Sequence, residues 1–124
     1  MTYTLIFLKL DRCTHCEVFE KREWCKIVSD KDFKSLGIIV KATPVEHGPY
    51  PNPDDPTSKR RFTMLDPRYV KAFNKYCKEN DLTSVAWAPA VVLDNGTNVY
   101  LYERDPNITK DSVLKWCKRL DLDE

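Results

Sequence analysis

Cys13-Thr14-His15-Cys16 is the stretch of this sequence whose residue types and spacing can do chemistry. Two cysteines at this spacing, at the start of a helix, can close a small disulfide ring. The first amides of that helix point at the leading sulfur and stabilise its thiolate. Arg12 before the pair and His15 inside it add positive character that favours the anion further. The thiolate is the attacking species in thiol–disulfide exchange, so Cys13 is the expected nucleophile. Cys16, one turn deeper and more buried, is expected to resolve the mixed disulfide. His15 also bears on direction, because a stabilised thiolate favours the reduced state and makes the disulfide the better oxidant. Thr-His therefore leans towards an oxidising or isomerising poise.

Two other readings compete for these residues. Cys13, His15, Cys16 and Cys25 are soft metal ligands, but residues packed into one helical turn rarely supply a closed tetrahedron. No second Cys/His pair stands at zinc-ribbon spacing, and the only other histidine is His47. No metal is expected. The blander alternative is a surface pair with no activity, and a Cys-x-x-Cys by itself is weak evidence against it. Cys77 and Cys117 fall on apolar helix faces, where a free cysteine behaves as a small hydrophobe. Cys25 is open between the core and a third thiol near the site.

The elements around the motif have to position it. Thr2 to Leu10 is nearly continuously apolar and rich in β-formers, the pattern of a strand covered on both faces. From Cys13 to about Asp30, Val18, Phe19, Trp24, Ile27 and Val28 suit a helix of about four turns with an imperfect apolar stripe. Gly37 to Ala42 is a second buried-strand candidate, running on as far as Val45. Residues 47–67 then hold five prolines and the run Lys59-Arg60-Arg61, an irregular surface excursion. Asp66-Pro67 opens a helix with Tyr69, Val70, Phe73, Tyr76 and Cys77 inward. Val85 to Leu93 and Val99 to Tyr102, joined through Asn95-Gly96, read as a hairpin. A last helix runs from Thr109 to Leu120 with Val113, Trp116, Cys117 and Leu120 on one face. The order is β-α-β-(insertion)-α-β-β-α, an α/β chain with a mixed sheet.

Bulk properties exclude several classes. At 124 residues the chain suits a single domain with one core. Its 42% apolar and 31% charged content is that of an ordinary globule. With 20 Lys plus Arg against 19 Asp plus Glu there is no basic excess for nucleic-acid binding. The apolar run Leu5-Ile6-Phe7-Leu8 is too short for a membrane span, and no cleavage-site pattern follows it. An intracellular, cytoplasmic protein is expected. Five cysteines, an odd number, then read as free thiols with any close pair catalytic or metal-binding.

On these residues the chain resembles the thioredoxin-like superfamily, over most of its length from Thr2 to Leu120. The resemblance rests on a Cys-x-x-Cys after the first strand, on Ala88-Pro89 opening a later strand with its Asp94-Asn95-Gly96 turn, and on an amphipathic C-terminal helix. It implies a three-layer α/β/α fold with a mixed four-stranded sheet. It also implies that Pro89 is cis, lies against the dithiol, and leaves the Ala88 backbone to pair with an incoming substrate. Trp87, two residues earlier, then lines the substrate groove, whereas Trp24 and Trp116 read as packing residues. The implied activity is thiol–disulfide exchange with protein thiols, recycled by a redox partner and needing no organic cofactor. Three departures stand out. Arg12 replaces the usual tryptophan and joins the substrate-binding set, Phe7 occupies the place of a buried acid, and the Gly-Gly with which glutaredoxins hold glutathione is absent. They leave room for a redox-inactive component of a larger assembly, with the 47–67 insertion adapted to a protein partner. In that insertion, Lys59-Arg60-Arg61 with Phe62 reads first as solvated surface.

Overall fold

A computed structural model describes residues 2–11, 13–49, 66–82 and 87–120. Strand β1 (Tyr3–Asp11) is central, because its side chains alternate between two apolar clusters. Tyr3, Leu5 and Phe7 join one cluster, and Ile6 and Leu8 join the other. Burial on both faces is why the strand reads as a continuous apolar run. One cluster is roofed by the long helical run that follows β1 and by the C-terminal helix, through Phe19, Trp24, Ile27, Val113 and Trp116. The other is roofed by helix α4 (Pro67–Glu79), through Tyr69 and Phe73. Helices therefore cover both faces of the sheet.

The helical run has three parts: α1 (Thr14–Phe19), a π-helical segment (Glu20–Trp24) and α2 (Cys25–Ser29). The π turn explains the imperfect stripe. Buried residues fall at Cys16, Phe19, Trp24 and Ile27, and the five-residue step from Phe19 to Trp24 matches the i→i+5 repeat of a π turn. Val18 and Val28, expected inside on a regular helical period, are instead exposed. A further short helix, α3 (Lys31–Ser35), which the sequence reading did not anticipate, is capped by the Asp30 carboxylate on the Asp32 amide at 2.6 Å.

The second strand is broken in two. β2 (Ile38–Val40) and β3 (Val45–Pro49) both run parallel to β1, the first beside Tyr3–Leu5 and the second beside Leu8–Asp11. Lys41 still donates its amide to Leu5, but Pro44 has no amide to continue the ladder. β2 and β3 lie on the same side of β1, so among the described residues the sheet keeps the expected four lanes with its second strand split, and β3 takes in residues assigned to the excursion. Ile39, expected to be buried, is 57% exposed on this lane. Residues 50–65, with Lys59-Arg60-Arg61 and Phe62, lie outside the described residues.

On the other side of β1, β4 (Ala90–Asp94) pairs antiparallel, and β5 (Val99–Leu101) pairs antiparallel with β4. The Asn95 side chain accepts the amides of Thr97 and Asn98, and Gly96 supplies a φ of +92° in the turn. β4 starts later than expected, at Ala90, since 87–89 are not strand and 83–86 lie outside the described residues. Helix α5 (Lys110–Arg119) opens with a reciprocal cap between Thr109 and Ser112. Cys77 and Cys117 are core residues, as expected. Among the described residues no helix is long and apolar enough to cross a membrane.

Candidate functional site

Strand directions bring three chain crossings to one end of the sheet. Leu8 faces Ala90 across the antiparallel β1–β4 pair, so the exit of β1 and the entry to β4 share that end. β5 runs back towards it, and Tyr102 extends the pairing by donating its amide to Val91. The turn at 103–109 follows. Cys13 to Cys16, Trp87 to Pro89 and this turn are therefore distant in sequence and grouped by topology.

Cys13 is the N-cap of α1, in extended backbone conformation, and is joined to Cys16 by a disulfide. The Cys16 amide donates to the Cys13 sulfur at 3.2 Å. An amide aimed at a sulfur lowers the cost of negative charge there, which is the electrostatic arrangement expected from the sequence. Exposure departs from a wide contrast, at 4% for Cys13 and 1% for Cys16. Both sulfurs sit in the apolar cluster with Phe7, whose ring meets Phe19 edge-on at 4.9 Å and Trp24 at 5.5 Å.

Beside the dithiol lies an open groove of about 760 Å³. His15, Trp87, Ala88 and Pro89, four of the residues singled out from sequence, line it together. Cys13 and Cys16 lie outside its lining, and Arg12 lies outside the described residues. The Ala88–Pro89 peptide bond is cis. The Trp87 ring packs edge-on against Phe73 at 4.7 Å and Tyr76 at 5.1 Å, and its buried indole N–H has no partner among the described residues. Among those residues, Ala88 makes no backbone hydrogen bond.

Several groove residues were not foreseen. Arg22 and Glu23 come from the π segment, and Arg104 to Thr109 come from the turn after β5. Glu23 accepts the Lys110 amide at 2.8 Å, capping α5 from a residue 87 positions away. Asp105 accepts the Tyr102 hydroxyl and the Asn107 amide. Burial first, opposed in part by Ser112 and aided by Asp105, pushes the Tyr102 hydroxyl up to about 12. The five-residue apolar step was the one sequence signal that the helix turns differently here. Cys25 is exposed, its thiol donating to the Lys21 carbonyl at 3.0 Å. Among the described residues no group of three or more His, Cys, Asp or Glu is placed to hold a metal.

A second polar cluster stands at the far end of the sheet. Asp94, which is buried, accepts both guanidinium nitrogens of Arg68 at 2.9 and 2.8 Å, the Tyr69 hydroxyl at 2.9 Å and the Gly96 amide at 2.8 Å. Burial opposes its charge, and these donors outweigh burial and hold the carboxyl below its ordinary value. Sequence showed Asp94 only as a turn residue. No protein-family model, curated protein or solved structure matches the chain.

Proposed function

We propose that the chain is a thiol–disulfide oxidoreductase of thioredoxin-like fold that acts on protein thiols through Cys13 and Cys16. The observation that carries this reading is the Cys13–Cys16 disulfide at a helix start, with the Cys16 amide aimed at the Cys13 sulfur. Three further features support it: a mixed sheet covered on both faces, a cis Ala88–Pro89 bond, and a groove beside the pair.

In the reduced protein, the Cys13 thiolate attacks one sulfur of a substrate disulfide. A Cys13–substrate mixed disulfide forms, and the other substrate sulfur leaves as a thiolate and takes up a proton. The Cys16 thiol loses its proton and attacks the Cys13 sulfur. The Cys13–Cys16 disulfide closes and the second substrate thiol departs. Two electrons have passed from the dithiol to the substrate, and a recycling dithiol must return them. The same steps reversed oxidise a substrate dithiol. His15, between the two cysteines, tunes the Cys13 thiolate, and the Ala88 backbone, free of partners among the described residues, pairs with the extended substrate. Phe7 fills the place of a buried acid, so the departing substrate thiolate takes up the Cys16 proton instead.

The second reading is a redox-inactive interaction protein, with the 47–67 insertion as its contact. The burial of both sulfurs favours it, since an attacking thiol needs access. One experiment separates the two. The protein is equilibrated in thiol–disulfide buffers of graded potential, quenched, alkylated and read by peptide mass. The oxidoreductase should show a reversible Cys13–Cys16 couple between about −270 and about −120 mV, the range of known exchange proteins. Two thiols that stay free across that range, or that pair with Cys25, favour the interaction protein.

A further inference from the structure

The groove beside the dithiol carries two arginines with no assigned role. Arg22 stands on the π segment and Arg104 on the turn after β5, 82 positions later, and both line the same opening. Among the described residues neither guanidinium makes a hydrogen bond or an ion pair, and both side chains are exposed. The two carboxylates in the lining are already engaged. Glu23 holds the Lys110 amide at 2.8 Å and faces the Lys26 ammonium at 3.8 Å, and Asp105 holds Tyr102 and Asn107. Both carboxylates thus already accept hydrogen bonds, whereas the guanidinium donors of Arg22 and Arg104 are free among the described residues. The same lining includes apolar surface, with Val18, 44% exposed, and Pro89.

We propose that this groove binds an extended polypeptide segment with acidic residues flanking its cysteine, and that Arg22 and Arg104 select for those acids. The proposal rests on the oxidoreductase reading for the purpose of binding, and it deepens that reading by naming the substrate class. An aspartate or glutamate on each side of the cysteine meets one guanidinium, and the apolar lining and the Ala88 backbone take the rest of the segment. A peptide fits this better than a single small thiol, because the groove has a volume of about 760 Å³ and its two guanidinium groups come from elements 82 positions apart in the chain. Guanidinium groups also give geometric as well as electrostatic selection, through paired N–H donors.

The test uses sulfur-free peptides, so that it does not depend on redox activity. Fluorescein-labelled heptapeptides with serine at the central position, flanked by Asp, Gln or Lys, are titrated with the full chain and followed by anisotropy. The Asp peptide should bind about tenfold more tightly than the Gln peptide, the sum expected of two partly solvated ion pairs, and the Lys peptide should bind most weakly. Arg22→Glu with Arg104→Glu should reverse that order. If the double variant does not fold, Arg22→Gln and Arg104→Gln, at exposed positions, should each lower the Asp preference about threefold. Four results overturn the proposal: no peptide binding, equal affinity for the three peptides, an Asp preference retained by folded variants, or displacement of the peptide by equimolar glutathione. A redox couple found without peptide selection removes the proposal and leaves the oxidoreductase. Selection without a redox couple leaves the groove and removes the oxidoreductase.

Discussion

Strand β1 has a polar group near each end, and opposite physics holds the two ends in place. Near its start, Thr4 lies across from Asp94, whose carboxylate is answered by Arg68, Tyr69 and Gly96. Just beyond its finish, roughly 20–25 Å along the strand, Cys13 and Cys16 belong to an apolar cluster in which Phe7, Phe19 and Trp24 are in mutual contact. The first end is closed, because each charge has its partner and helix α4 is tied to the hairpin by the result. The second end is open. It combines apolar support with an indole N–H that has no partner among the described residues, exposed arginines and a groove. Satisfied polar networks hold structure in place, whereas departures from satisfaction gather where something else is meant to bind.

The largest effect should come from the aromatic end. Phe7→Ala should cost about 4 kcal/mol of unfolding free energy, the usual range for a fully buried phenylalanine. Measured by urea denaturation, this loss should not change with salt or with pH between 4 and 8. A much smaller loss would mean that the rings do not hold the dithiol end.

The charged end comes next. Asp94→Ala should cost about 3 kcal/mol at pH 7, since it leaves the Tyr69 hydroxyl and the Gly96 amide without their acceptor. The Asp94 carboxyl has a lowered proton affinity in the fold, so its contribution is complete above the ordinary carboxylate value of 3.8. It is lost as pH falls through the lower folded value. The gap between wild type and variant should therefore be constant from pH 5 to 8 and should close in more acid solution. A gap that persists at low pH would make the cluster a matter of packing rather than charge.

Smallest is the helix cap. Thr109→Ala removes the side chain that accepts the Ser112 amide at 3.1 Å and should cost about 1 kcal/mol in the same assay. The groove side of α5 keeps a second anchor in Glu23, so a loss well above that value would show that the Thr109 cap alone holds the groove turn in place.

Much of this arrangement was legible from neighbours in the chain. The strand covered on both faces, the helix opened by Asp66-Pro67, the Asn-Gly hairpin and the Thr109 cap each follow from a few adjacent residues. So does the placement of Cys77 and Cys117 in the core. The helix assigned to residues 13–30 took Val18 and Val28 into its imperfect apolar stripe; the π turn at Glu20–Trp24 shifts the later Val28 around the helix, and Val18, which precedes that turn, lines the groove. The broken second strand turned on the pairing of two short segments with different parts of β1, which no local pattern records.

What the sequence determined by itself is therefore the local chemistry: a dithiol at a helix start, a proline before a buried strand, and amphipathic faces with their caps. The tertiary structure decided which of these groups share a site. Arg68 meets Asp94 across 26 positions, Glu23 caps Lys110 across 87, and Arg22 and Arg104 face one groove. The physical reason is one of range. Propensity, capping and turn geometry act within a few residues, whereas these pairings depend on strand register and direction, which only a folded sheet sets.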